Sequence, residues 1–170
     1  MYKLRILKLL FIAAVVLSIV TVYASGNLNF GTHLSGDEEV PARLTNAQGQ
    51  AIFHLSEDGT ELSYKLNIAN IENVVQAHIH VGQPDVNGPV VVFLYGPVAP
   101  GGGRVDGVLA EGTITAANLI GPLAGHPLSD LMDEIEAGNA YVNAHTNDGV
   151  GDPNTGPGDF PGGEVRGHLD

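Results

Sequence analysis

Two runs with an apolar residue at every second position flank an Asp-Gly turn in the first half of the chain. The first run places Ala51, Phe53 and Leu55 on one side of an extended segment. After the turn at residues 56–60, the second run alternates through residues 62–68. Because successive side chains of a strand point to opposite faces, this pattern predicts a β-hairpin with one buried face.

Five further segments show the alternation or the continuous apolar character of strands. They are residues 75–81, 90–95, 108–115, 141–146 and 164–169. Residues 90–95 are apolar on both faces, which predicts a central strand. The 23 glycines and 10 prolines suit many short strands joined by turns. The sequence therefore predicts an all-β fold, an antiparallel β-sandwich or barrel of the immunoglobulin-like or superoxide-dismutase-like Greek-key type.

One short helix is predicted over residues 128–137. Ser129 can cap its first turn, and Gly138 suits its end. Acidic residues near its start match the positive end of a helix dipole. Its apolar residues form a single stripe, which consists of Leu128, Leu131, Met132 and Ile135. We expect this helix to be an excursion between two strands.

The N-terminal segment has the pattern of a secretory signal peptide. Three basic residues lie within the first eight positions, and residues 9–22 are apolar except for one serine and one threonine. Val22 and Ala24 stand at the −3 and −1 positions of a cleavage site. Residues 1–24 are therefore expected to be removed, which leaves residues 25–170 as one exported domain that is periplasmic, extracellular or at the cell surface, without membrane contact. An uncleaved membrane anchor is the alternative.

The composition after that segment excludes several classes of partner and site. Four basic residues face nineteen acidic ones, a formal charge of −15. So acidic a body repels phosphate backbones, which excludes nucleic acid as a partner. Cysteine is absent, which excludes disulfides, zinc–thiolate sites, iron–sulfur clusters and blue copper. The seven histidines are then the main candidates for nitrogen ligands.

Four of these histidines lie on the polar faces of predicted strands. His78 and His80 are two residues apart, so both side chains leave the same face of their strand. His145 and His168 lie opposite the apolar residues of their own strands. Imidazole is a common ligand of Cu²⁺ and Zn²⁺, so these four residues are the candidate ligands of one such ion. The alternative is a solvent-exposed sheet face with scattered histidines.

Weaker candidates for metal binding lie outside those strands. Asp148, Asp152 and Asp159, in the loop of residues 147–163, could supply oxygen ligands to Ca²⁺. Their spacing fits no EF-hand, so a solvated acidic loop is the preferred interpretation. Surface positions are expected for the three remaining histidines, which are His33, His54 and His126.

Four segments carry longer motifs. They read L-S-G-D-E-E-V-P from Leu34, A-H-I-H-V-G followed by N-G-P-V-V from Ala77, G-N-A-Y-V-N-A-H-T from Gly138 and G-E-V-R-G-H-L from Gly163. In this order they resemble the CHRD (chordin) domain family. The resemblance implies an extracytoplasmic all-β domain, of the kind found in bone-morphogenetic-protein antagonists and in secreted microbial proteins. Two departures from the family pattern are that His168 replaces the usual glutamine and that the loop before Gly163 is longer.

Two functions remain as alternatives. In the first, the histidines of an exported protein hold one Cu²⁺ or Zn²⁺ ion for copper handling, electron transfer or a redox reaction, in a layout loosely similar to copper–zinc superoxide dismutase. In the second, the domain binds an extracytoplasmic protein or matrix partner, and its histidines are structural. Hydrolysis is disfavoured because the Gly-x-Ser-x-Gly motif is missing. No catalytic base is identifiable, so the sequence leaves open whether the protein is an enzyme.

Overall fold

The computed structural model describes residues 28–169, so the predicted signal peptide lies outside the described residues. The strands of this part of the chain are β1 (Asn29–Ser35), β2 (Gln48–Leu55), β3 (Leu62–Glu72), β4 (Val74–Val81), β5 (Val90–Tyr95), β6 (Arg104–Ile114), β7 (Ala140–Thr146) and β8 (Val165–His168). Two 3₁₀ turns and one helix, α1, lie between β6 and β7; they are Ala116–Asn118, Gly121–Leu123 and Leu128–Glu136. Over the same residues, no helix has the length and apolar character needed to cross a membrane.

The strands form one antiparallel sheet that curls into a nearly closed barrel. Their order is β5-β4-β7-β8-β1-β2-β3-β6, and the two end strands β5 and β6 contact each other. The Tyr64 hydroxyl on β3 donates a 2.8 Å hydrogen bond to the Leu94 carbonyl on β5, which ties the two ends together. β3 and β4 are consecutive in the chain but do not pair. After β4 and β5, the chain returns with β6 to pair with β3, which is the connection of a Greek key. The predicted antiparallel barrel with one short helix is confirmed.

The barrel interior is filled by the residues that alternate inward along the strands. In the predicted hairpin, β2 and β3 pair with Ala51 opposite Leu66 and Phe53 opposite Tyr64. Ala51, Phe53 and Leu66 are buried, whereas Ile52 is 44% exposed on the other face. The apolar stripe of α1 is also buried and joins the same core. The alternation read from the sequence thus predicts correctly which face of the hairpin points inward.

The prediction of a central strand at residues 90–95 is wrong, although these residues do form a strand. β5 lies at one end of the sheet and pairs only with β4. Val92 and Leu94 are buried in the core, whereas Phe93 is 45% exposed. The ring of Phe93 packs edge-on against that of His78, with 4.6 Å between centroids. The apolar character of the outer face therefore comes from a contact with a side-chain cluster outside the barrel, and not from a second neighbouring strand.

Two further details differ from the expectations. The residue before the first turn of α1 is Pro127, and Ser129 lies inside the helix. The helix begins at Leu128, whose side chain is packed in the core. Ser129 is therefore too late in the chain to cap it, and the predicted serine cap is wrong. Gly138 follows the end of the helix with a φ of +69°, as expected for a terminating glycine. β1 was not predicted by alternation, because only one of its residues, Leu34, is buried.

Candidate metal centre

The outer face of β4 and β7 is covered by loops. Three loops pack over it: the β1–β2 loop (residues 36–47), the β4–β5 loop (residues 82–89) and the β7–β8 loop (residues 147–164). Beneath them lies a set of buried polar side chains that we call the outer polar layer; it comprises Glu39, His78, His80, Tyr141, Asn143, His145 and Arg166. The alternative of a solvent-exposed sheet face with scattered histidines is therefore wrong for the first three candidate ligands.

His78, His80 and His145 form one compact group. His78 and His80 leave the same face of β4, and His145 stands on the adjacent strand β7. Their exposed fractions are 3%, 8% and 6%, and one ring nitrogen from each lies within 4.8 Å of the others. Nitrogen ligands of a tetrahedral zinc ion are roughly 3.3 Å apart for Zn–N bonds of about 2.0–2.1 Å. The three nitrogens are therefore at most roughly 1.5 Å farther apart than the ligands of a bound ion.

Backbone carbonyl groups determine which nitrogen of two rings carries the proton. Nδ1 of His80 lies 2.9 Å from the Gly88 carbonyl oxygen, and Nδ1 of His145 lies 2.9 Å from the Pro161 carbonyl oxygen. A carbonyl oxygen only accepts hydrogen bonds, so in both neutral rings Nδ1 is the donor and Nε2 keeps a lone pair. A second hydrogen bond that fixes tautomer and ring orientation in this way is typical of histidine ligands to metals.

Two ring nitrogens of this group lack a hydrogen-bond partner. Nε2 of His78 and Nε2 of His80 are buried and unpaired among the described residues. Nδ1 of His78 lies 3.0 Å from Nε2 of His145. Buried polar atoms in folded proteins are nearly always paired, so each exception needs an explanation. A cation shared by the three imidazoles supplies one, and the donor set therefore fits a metal ion.

The three imidazoles are neutral near pH 7. Burial, with smaller contributions from the neighbouring His145 and His80, lowers the pKa of His78 to about 3. Burial also lowers the pKa of His145 to about 4, although its hydrogen bond to Pro161 acts in the opposite direction. The pKa of His80 is lowered for the same reason, against hydrogen bonds with Gly88 and Asn143. Neutral rings are the form that binds metals, so no proton has to leave before an ion enters.

His168 lies apart from the group of three histidines. The ring of Tyr141 stacks on that of His80, with 4.8 Å between centroids, and His168 contacts Tyr141 at 5.4 Å. Nη2 of Arg166 lies 3.0 Å from Nε2 of His168, and its guanidinium carbon lies 3.5 Å from the centroid of the Tyr141 ring. The structure thus brings together three of the four predicted ligands and places the fourth beside a buried cation.

Sequence reasoning missed Glu39 and Asn143. Glu39 belongs to the β1–β2 loop and is only 5% exposed. Burial raises its pKa to about 7, although Arg166, Arg43 and hydrogen bonds from the Val40 backbone and the Asn143 side chain lower it. Asn143 lies on β7 and is 3% exposed. The only sequence signal for Glu39 was its place in the E-V-P motif, and the only one for Asn143 was its position two residues before His145, on the same face of the strand.

The acidic β7–β8 loop does not gather the three aspartates proposed for Ca²⁺. Among the described residues, the three histidines are the one group of at least three possible ligands close enough to share an ion. Asp159 is buried, contrary to the expected solvated loop. Its carboxylate accepts hydrogen bonds from the backbone and hydroxyl of Thr155. The Asp148 carboxylate accepts one from the Val150 backbone, so both carboxylates act in turns of the loop itself.

Gly88 connects the β4–β5 loop to the histidine group, which leads to a prediction. A Cβ atom at this position would overlap the carbonyl group of Val81, so Gly88→Ala is expected to destabilise the protein by about 3 kcal/mol or more. Gly102→Ala is the matched control, because nothing lies near its Cβ position. Thermal unfolding measures both changes. Equal melting temperatures for the two variants would contradict the close approach at Gly88.

Comparison with known proteins gives a match to one family. A family model described as the CHRD domain matches residues 30–152, about seven-tenths of the chain. The match includes His78, His80 and His145, whereas the closing G-E-V-R-G-H-L segment and His168 lie beyond it. Among curated proteins and solved structures, none matches this sequence significantly.

Proposed function

Because the chain belongs to the CHRD domain family, we propose that it is an exported protein whose CHRD domain binds one Cu²⁺ or Zn²⁺ ion through His78, His80 and His145. One observation carries the proposal: two buried ring nitrogens, Nε2 of His78 and of His80, have no partner among the described residues. Export is proposed from the basic and apolar N-terminal pattern and from the cleavage site after Ala24.

The donor set favours Cu²⁺ or Zn²⁺ over harder cations. Imidazole nitrogen suits both of these ions, whereas Ca²⁺ and Mg²⁺ prefer oxygen. Zinc sites that exchange a ligand typically have three protein ligands and a fourth position held by water or substrate. Three imidazoles would supply the first three ligands here. We include copper handling or a redox reaction in this proposal. A small molecule could bind the ion at such an exchangeable fourth position.

The alternative of a binding module with structural histidines explains only part of the group. Carbonyl oxygens of Gly88 and Pro161 do satisfy one nitrogen each of His80 and His145. That alternative leaves Nε2 of His78 and Nε2 of His80 buried and unpaired among the described residues, at a cost of about 1–3 kcal/mol for each unpaired group. Metal binding accounts for the same atoms, so it is the function that we favour.

The test is metal analysis of the purified protein, followed by titration with Cu²⁺ and Zn²⁺ after treatment with a chelator. We expect one ion per chain, and neither Ca²⁺ nor Mg²⁺ should compete for the site at millimolar concentration. Isothermal titration calorimetry gives the stoichiometry and the affinity. Failure of both Cu²⁺ and Zn²⁺ to bind would leave the binding module as the better function.

A further inference from the structure

Asn143 lies where the three histidines converge. Its Oδ1 atom lies 2.9 Å from Nε2 of His145, and its side chain also interacts with His80. Nε2 of His145 keeps a lone pair, because Nδ1 of that ring faces the carbonyl group of Pro161. Nδ1 of His78 also lies 3.0 Å from this nitrogen and can donate to it, whereas the amide oxygen of Asn143 faces it as a second acceptor in a buried site. Such a contact is unfavourable unless a positive charge lies close to both atoms.

Glu39 determines the orientation of the Asn143 amide group. The amide oxygen of Asn143 faces His145, so its amide nitrogen is the atom that can donate to the carboxyl group of Glu39. Asn143 stabilises the ionised form of Glu39, as expected for a donor. With the nitrogen turned to Glu39, the amide oxygen is turned to His145.

We propose that Asn143 is the fourth ligand of the metal ion, through its Oδ1 atom, and that Glu39 is a positioning residue that holds the amide in the ligating orientation. This inference rests on the proposed metal site. It gives the centre three nitrogen ligands and one neutral oxygen ligand, all from β4 and β7.

The chemical consequence is a centre with one weak ligand. An amide oxygen is a poorer donor to Cu²⁺ or Zn²⁺ than an imidazole nitrogen, so it is the ligand that water or a small anion would replace first. The three histidines then retain the ion, while the Asn143 side chain controls access to its fourth position.

A spectroscopic measurement on the Cu²⁺-loaded protein tests this assignment. The protein is labelled with ¹³C at the asparagine side-chain carbonyl and loaded with one equivalent of Cu²⁺. Electron–nuclear double resonance is expected to detect a ¹³C coupling through the bound oxygen, and the coupling should vanish in Asn143→Ala. A protein that binds Cu²⁺ without this coupling would overturn the role of Asn143 and leave the three-histidine site intact. A protein that binds no ion at all would overturn both proposals.

An exchange of the two side chains gives a second, independent readout. In the double variant Asn143→Asp/Glu39→Gln, the new amide donates to the new carboxylate, so the hydrogen bond persists and an anionic oxygen faces His145. If Asn143 is a ligand, the affinity for Zn²⁺ should rise by about tenfold or more, because a carboxylate binds a divalent cation more strongly than an amide. Unchanged affinity would show a purely structural pair. Glu38→Gln, at the exposed neighbouring position, is the control and should leave the affinity unchanged.

Discussion

Replacing His80 with alanine is expected to weaken the binding of Cu²⁺ or Zn²⁺ by at least about 100-fold, and replacing His145 should have an effect of similar size. Each substitution removes one of three nitrogens that lie within 4.8 Å of one another. The two remaining imidazoles are too few to hold an ion tightly against competition from water. Isothermal titration calorimetry at pH 7.5 on chelator-treated protein measures the loss.

Three further variants make this result specific. His126→Ala should bind normally, because His126 pairs with Asp130 at 2.6 Å and is not part of the histidine group. His80→Gln keeps a polar side chain of similar size, so its loss of binding cannot be ascribed to a cavity. His168→Ala should weaken binding by no more than about tenfold, since the Tyr141 ring lies between His80 and His168. Parent-like binding by His78→Ala/His80→Ala would refute the metal site.

Acid is expected to destabilise the metal-free protein through the same histidines. Burial lowers the pKa of His78 to about 3 and that of His145 to about 4, whereas both are about 6.5 in an unfolded chain. Below pH 6.5 the unfolded chain therefore binds protons that the folded protein excludes, and the free energy of unfolding falls as the pH drops toward 4. Between pH 7 and 4.5, we expect the two residues together to contribute a loss of about 4 kcal/mol.

Protonation of Glu39 changes the free energy of unfolding in the opposite direction, so its contribution has to be separated from that of the histidines. Its pKa is raised to about 7, so the folded protein binds this proton more readily than the unfolded chain does. The stability that it contributes is fully present below pH 4.5 and is lost as the pH rises through 7. Glu39→Gln should therefore lose stability more steeply on acidification than the parent protein.

Urea unfolding in the presence of a chelator measures these changes. The variant His78→Gln/His145→Gln has the same acidic surface as the parent, so relief of charge repulsion near the pI of 4.7 affects both proteins equally. The difference between the two pH profiles isolates the histidines. Profiles that run parallel from pH 7 to 4.5 would mean that the two rings are not buried in the neutral form.

Strand periodicity predicted which site residues share a face within a single strand. The spacing of His78 and His80 is enough to place both rings on one face of β4, and parity along β7 places His145 on the corresponding face. That β4 and β7 are neighbours depends on a crossover that no local pattern reveals, and only the family resemblance suggested that these strands lie close together. His168 obeys the same parity, yet it lies next to Arg166 and not among the other three.

The burial of the site could not be predicted from the same pattern. A polar face normally indicates contact with water, and here it indicates a second packed layer beneath three loops. The residues that close this layer, such as Gly88 and Pro161, act through backbone carbonyl groups, which every residue possesses. Glu39 was equally hidden, because a charged residue in a turn is most often exposed. Tertiary contacts, and not side-chain identity, give these positions their roles.

The proposed ligands are also far apart in a chain that contains no cysteine. His78 and His145 are separated by 67 positions, so an ion bound to both would act as a reversible cross-link between two distant strands. A ligand that binds only the folded state stabilises it by about 4 kcal/mol when its free concentration is a thousand times its Kd. Disulfides are the usual source of such reinforcement in small secreted domains. In this domain, the resistance to unfolding would instead follow the supply of free metal in its surroundings.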